Sequence, residues 1–137
     1  MPRTIHRIDA ATQSKDVSGK TYIVTGANSG VGLETTRQLV KQGGHVVMAC
    51  RRIGAGQEAA TSMAGLKGTT EVIACDLADL ASVRRFVDDF KSRHDRLDGL
   101  MCNAGAVIMG HDAEDRRHGF DMTIAAGFAG PFLLTEL

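Results

Sequence analysis

The sequence predicts an α/β protein built on a doubly wound parallel sheet with strand order 3-2-1-4. Three observations carry that expectation. Short runs rich in apolar and β-branched residues alternate strictly with longer segments at helical spacing, the pattern of βαβ units. The short runs are almost continuously apolar, as burial on both faces of a sheet requires. The first run ends in a cluster of glycines that opens a helix, and right-handed crossovers then favour a doubly wound arrangement. With 137 residues, one domain is expected, and a chain of this size buries roughly 70% of its unfolded surface.

The elements follow in order. "TYIVTG" (21–26) is the first strand. The helix from Gly30 to about Gln42 carries small and apolar residues on two adjacent faces, Val31/Thr35/Leu39 and Gly32/Thr36/Val40, and Gly43-Gly44 stops it. "HVVMACR" (45–51) is the second strand. "AGQEAATSMAG" (55–65) is a short helix ending at Gly65, and "TEVIACD" (70–76) the third strand. Asp79 suits the N-cap of a helix with Leu80, Val83, Val87 and Phe90 on one face. "LDGLMCNAG" (97–105) is the fourth strand. A polar loop, "HDAEDRRHG" (111–119), comes next, and 120–137 reads as a helix weakened by Gly127, Gly130 and Pro131. Residues 1–17 form a polar N-terminal arm and 18–137 the folded domain.

Composition excludes several functions. Apolar residues make up 43% of the chain and charged residues 23% with a formal net charge of zero, so neither a nucleic acid nor an anionic membrane is an expected partner. The apolar runs fall far short of the ~20 residues a membrane span needs, and the N-terminus lacks the apolar core of a secretory signal. A cytoplasmic location is expected. The three cysteines, Cys50, Cys75 and Cys102, have no CxxC spacing and read as buried, reduced strand residues. None of the five histidines pairs at ligand spacing, so no metal site is expected.

The stretch "TGANSGVG" (25–32) carries the functional reading. It joins strand one to helix one, where unpaired N–H groups and a positive dipole end suit a phosphate. Gly26 lets the chain turn off the strand, Gly30 lets a pyrophosphate approach the backbone, and Gly32 lets the helix pack closely. The spacing G-x-x-x-G-x-G is neither the commoner G-x-G-x-x-G nor a P-loop. The same glycines would also serve a plain tight turn, but their place between first strand and helix is the context of a dinucleotide site in a Rossmann-like fold. After strand two, where an acidic residue commonly receives the ribose hydroxyls of NAD, stand Arg51 and Arg52. A guanidinium grips a 2′-phosphate and a carboxylate repels it; the alternative is a solvated surface pair. Ser29 adds a hydroxyl donor. Asn103, Ala104 and Gly105 end strand four, beside the point where strand order reverses, and their small size leaves room for a ribose.

Together, "TGANSGVG", "CRR", "CDLADL" and "CNAG", in this order and spacing, resemble the N-terminal half of a short-chain dehydrogenase/reductase. The resemblance runs from about Ser18 to Leu137, and "SGKTYIVTGANSGVGLE" and "DGLMCNAG" are similar to the retinol dehydrogenase and protochlorophyllide reductase branch. It implies NADP(H) as cofactor, held by Gly26, Asn28, Ser29, Gly30, Val31, Gly32, Arg51 and Arg52. It implies that Asp76 and Leu77 meet the adenine, where the residues alone also allow a simple turn. It assigns Asn103, Ala104 and Gly105 to the nicotinamide half.

The same resemblance implies a tyrosine four residues before a lysine, a serine upstream and an asparagine on the helix after strand four. The chain has one tyrosine, Tyr22, inside the first strand. No Y-x-x-x-K occurs, and Gly127 stands at the asparagine position, so no catalytic residue is assigned. The expected function is the NADP(H)-binding portion of an oxidoreductase that moves hydride between carbonyl and alcohol, not competent alone. The alternatives are a non-enzymatic nucleotide-binding or interaction module, or one subunit of a split reductase. A fold truncated after strand four and its helix leaves that strand as an apolar edge, which predicts a homo-oligomer or a partner chain there or at the last helix.

Overall fold

Four strands pair in parallel in the order β3-β2-β1-β4, as the alternating sequence predicts. The structure is a computed structural model that describes residues 10–105, 116–117 and 120–137. The strands are β1 (Thr21–Thr25), β2 (His45–Cys50), β3 (Thr69–Ala74) and β4 (Gly99–Met101). Ile23 lies opposite Val47 on one side and Leu100 on the other, and Val47 lies opposite Glu71.

Strand alternation gives the sheet two apolar faces, each needing a helical cover. On one face Ile23, Val47, Ala49 and Ile73 pack with Val83, Phe86, Val87 and Phe90 of α4 (Leu80–Arg93) and with Leu134 of α6 (Gly130–Glu136). On the other, Val24, Val46, Met48 and Cys50 pack with Val40 of α2 (Gly30–Lys41) and Ala59 of α3 (Ile53–Thr61). Among the described residues no helix is long and apolar enough to cross a membrane.

Several expectations change in detail. Of the two stripes on α2, only Gly32, Thr36 and Val40 are buried, and Val31 is 74% exposed. The helix rests on the sheet through one narrow stripe, and the buried Thr36 hydroxyl donates to the Gly32 carbonyl at 2.8 Å. On α4 the predicted Asp79 cap is present, its carboxylate accepting from Ala81 N–H at 3.0 Å. Leu80 is half-buried and the unassigned Phe86 is the centre of that face. β3 is only partly covered because it is the sheet edge. β4 is three residues long rather than nine, because the chain beyond Met101 bends toward Thr25. Cys50 and Cys75 are buried, but Cys102, in that bend, is exposed.

The C-terminal stretch is more helical than its glycines and proline predict. β5 (Arg116–Arg117) pairs antiparallel with β6 (Phe120–Asp121), and Asp121 caps a short helix, α5 (Met122–Ile124), by accepting from Ile124 N–H at 2.9 Å. A π-helical turn, Ala125–Ala129, leads into α6. Pro131 sits in the first turn of α6, where a proline is best tolerated. Gly130 lies against the Leu77 carbonyl so closely that any Cβ would collide with it. The rest of the predicted polar loop falls outside the described residues. At the other end, Ala10–Gln13 forms one helical turn (α1), and Val17 is buried at 6% exposure.

Candidate functional site

The carboxyl ends of β1, β2 and β4 and the segment after β3 open into one cleft of about 330 Å³, the lower range for a small-molecule site. Its floor is set by the turn after β1. Gly26 has φ +64° and still extends the ladder, its N–H donating to Ala49 O at 3.0 Å. A side chain there would be strained and would meet Ala104 Cβ at 3.0 Å. Gly30 has φ +54° and nothing within 4 Å of where a Cβ would stand. Space is therefore kept open in front of the helix terminus.

Ser29 is the N-cap of α2, yet its side chain makes no capping hydrogen bond, and the first turn carries no acidic residue. The dipole of a 12-residue helix and its terminal N–H groups are thus not compensated by a carboxylate in the helix's own first turn. Gly32 has a different task. A Cβ on it would collide with the Gly26 carbonyl and the Asn103 side-chain amide, so it packs the helix onto the loop rather than lining the cleft.

Beyond their backbone ladder, the ends of β4 and β1 are tied by two side chains. The Thr25 hydroxyl, 1% exposed, accepts from the N–H groups of Asn103 and Ala104, both at 3.0 Å, and donates to Met101 O at 3.3 Å. In return the Asn103 amide donates to Thr25 O at 3.1 Å. These bonds hold Asn103, Ala104 and Gly105 as one wall of the cleft.

The opposite wall comes from β2 and β3. Arg51 and Arg52 are exposed at the end of β2, and Arg52 is the N-cap of α3. Neither guanidinium forms an ion pair among the described residues. Asp76 holds a turn: its carboxylate accepts from Ala78 N–H, its own N–H donates to the Ser82 hydroxyl, both at 3.0 Å, and with Leu77 it lines the cleft. Burial, then the Asp76 carboxylate, pushes the Cys75 thiol up to about 12, and burial also raises Cys50.

Most of the predicted residues converge. Gly26, Asn28, Ser29, Arg51, Arg52, Asp76, Leu77, Asn103, Ala104 and Gly105 line the cleft, whereas Gly30, Val31 and Gly32 do not. Thr25, Ala49, Cys75 and Ala126 line it as well. Thr25 stands at the head of the glycine stretch, and residue spacing does not encode the task of its hydroxyl. Ala126 reaches the site through the π-helical turn, which no sequence periodicity announces.

The histidines also depart from expectation. His45 and His94 are far apart in sequence, but they meet beside Glu71 at the amino ends of β2 and β3, away from the cleft. Burial and the neighbouring His94 hold His45 below its ordinary value. Against the effect of its own burial, hydrogen bonds from His94 and Arg93 hold Glu71 low. His6, His111 and His118 lie outside the described residues.

Known proteins share this fold. A family model described as short chain dehydrogenase matches residues 20–137. The human protein "Dehydrogenase/reductase SDR family member 13" is 44% identical over 124 residues, covering 89% of this chain and 32% of its own. The chloroplastic protochlorophyllide reductase of Marchantia paleacea is 41% identical over 129 residues, covering 92% of this chain and 28% of its own. A metagenomic short-chain oxidoreductase solved in complex with NADP superposes with a TM-score of 0.76 at 29% identity, over 87% of this chain and 54% of that one. The chain thus spans about a third of the length of these curated relatives.

Proposed function

The chain belongs to the short chain dehydrogenase family, and from that premise we propose that its cleft binds NADP(H), as the NADP-binding part of an oxidoreductase. The observation that carries the reading is the pair Arg51 and Arg52, two guanidinium groups at the cleft rim with no ion pair among the described residues. Two further features fit the ligand: an N-cap serine that does not cap its helix, and open space at Gly30 where a Cβ would point. The solved relative that holds NADP supports the same choice.

In this reading the α2 terminus and the turn from Gly26 to Gly30 face the pyrophosphate. Arg51, Arg52 and Ser29 hold the 2′-phosphate, Asp76 and Leu77 border the adenine, and Asn103, Ala104 and Gly105 orient the nicotinamide half. The bound dinucleotide supplies hydride for exchange between carbonyl and alcohol. The chain's own residues bind and orient it and exclude water. Tyr22 lies in β1, and the 137 residues hold no Y-x-x-x-K. The reading therefore gives this chain binding without proton transfer of its own, in a cytoplasmic protein whose folded unit is 18–137 together with the buried Val17. Backbone NMR with NADPH tests it. Shifts confined to residues 26–32, 51–52, 76–77 and 103–105 are expected; their absence at saturating nucleotide overturns the reading.

A second observation favours an assembled form. Beside the β4 edge lies an apolar recess of about 250 Å³ lined by Ile23, Phe86, Phe90, Leu97, Leu100 and Leu134. A strand edge next to such a surface invites pairing, and the proposal is that a second copy or a partner chain covers it. Light scattering at rising concentration is expected to show self-association; a monodisperse monomer throughout would count against the second copy.

A further inference from the structure

Three side chains from three elements meet at the end of the sheet opposite the cleft. His45 is the first residue of β2 and lies opposite Thr69 of β3. Side chains alternate along a strand, so Glu71, two residues after Thr69, shares the face of His45. That face is covered by α4, whose C-cap is His94. The His94 ring stacks on Phe90 at 4.9 Å and lies 5.1 Å from the His45 ring. One donor atom from each of His45, Glu71 and His94 lies within 4.8 Å of the other two.

An ion pair explains only part of this cluster. His94 Nε2 sits 2.8 Å from Glu71 Oε2, a good charge-assisted hydrogen bond. His45 Nε2 is 3.7 Å from the same oxygen, too far for a hydrogen bond, and it is buried without any hydrogen-bond partner. A buried polar atom left in this way demands an explanation. The surrounding bonds already orient two of the three groups. The His45 Nδ1 is 2.7 Å from the Thr69 hydroxyl; donating there, it leaves Nε2 with the lone pair. Arg93 donates to Glu71 Oε1 at 2.5 Å, which leaves Oε2 toward the histidines.

We propose that His45, Glu71 and His94 form a binding site for a divalent transition cation of the zinc class, with water as fourth ligand. Two imidazoles and a carboxylate are the donors such ions take, and Mg²⁺ or Ca²⁺ would demand more oxygens. Tetrahedral coordination with bonds of about 2.0–2.2 Å separates donors by roughly 3.3–3.5 Å, and the observed 2.8 and 3.7 Å bracket that value. The ion would clamp β2, β3 and the end of α4. Thr69 and Arg93 act as positioning residues, orienting an imidazole and a carboxylate as such partners commonly do. The proposal is independent of the nucleotide reading, because the cluster lies at the other end of the strands.

The test uses the full chain after chelator treatment, carrying Cys102→Ser to remove the exposed thiol as a competing ligand. Titration with CoCl₂ and ZnCl₂ by calorimetry and absorption is expected to show one ion per chain. The cobalt spectrum is expected to show nitrogen and oxygen donors without a thiolate charge-transfer band. His45→Ala and His94→Ala are expected to weaken zinc binding beyond about 100-fold, and Thr69→Val, which only loosens the ring, by about 10-fold. No saturable binding, a thiolate spectrum, or binding indifferent to both histidine substitutions overturns the proposal. Should those variants fail to fold, cobalt-induced paramagnetic shifts in the Cys102→Ser chain decide it. Shifts centred on His45 and His94 support the site, and shifts centred elsewhere overturn it.

Discussion

The Thr25 hydroxyl accepts the backbone N–H of Asn103 at 3.0 Å, and the Asn103 side-chain amide donates to Thr25 O at 3.1 Å. This reciprocal link joins the last residue of β1 to the wall of the cleft. Thr25→Val keeps the shape but strands the N–H of Ala104 and leaves that of Asn103 only the Met101 carbonyl. A loss of about 1–3 kcal/mol is expected by urea denaturation, together with weaker NADPH binding. Thr25→Ser, which keeps the oxygen, is expected to retain most of both.

The two later glycines of the turn separate packing from binding. Gly32→Ala forces a methyl group into the Gly26 carbonyl and the Asn103 amide, and about 1–3 kcal/mol of stability is expected to be lost. At Gly30 the chain leaves open space, so Gly30→Ala is expected to cost only the left-handed backbone strain, about 1–2 kcal/mol. Its larger effect is expected on nucleotide affinity. Denaturation curves and nucleotide titrations of both variants check the contrast.

Thiol reactivity follows burial. Burial pushes Cys75 up to about 12 and raises Cys50 and Cys102, but of the three only Cys102 is exposed. Alkylation of the native chain near neutral pH is expected to modify Cys102 and spare the other two, as read by peptide mass spectrometry. In denaturant all three are expected to react.

Acid stability has a local contributor at the start of β1. The Asp98 carboxylate accepts from Thr21 N–H at 2.9 Å and pairs with Arg96, and its value is lowered, first by the Thr21 bond. A depressed carboxyl contributes stability that is present above the ordinary value of 3.8 and is lost as pH falls through the folded value. The wild-type chain is expected to lose stability below about pH 4 more steeply than Asp98→Asn, as followed by thermal melts across that range.

Much of this architecture is legible in the sequence because its signals are local. Strand alternation, the Asp79 cap and the glycine turn each depend on neighbours within a few residues, and crossover handedness orders the strands. The features that were not legible depend on distant partners. Thr25 reads as an ordinary strand residue until Asn103 is placed beside it. Gly130 reads as a helix breaker until Leu77 O is found against it. The meeting of His45, Glu71 and His94 needs a register, a face and a helix end, none of which residue spacing encodes. β4 is short for the same reason: the backbone partners it leaves at Met101 are replaced by a side chain on another strand.

The central claim is that Arg51 and Arg52 make the cleft selective for the phosphorylated dinucleotide, and calorimetric titration of NADPH and NADH into wild type and Arg51→Ala tests it most directly. Loss of a charged hydrogen bond costs about 1.5–3 kcal/mol, so NADPH affinity is expected to fall roughly 10- to 150-fold while NADH affinity barely changes. An equal loss for both nucleotides, or no binding of either by the wild-type chain, would contradict the account.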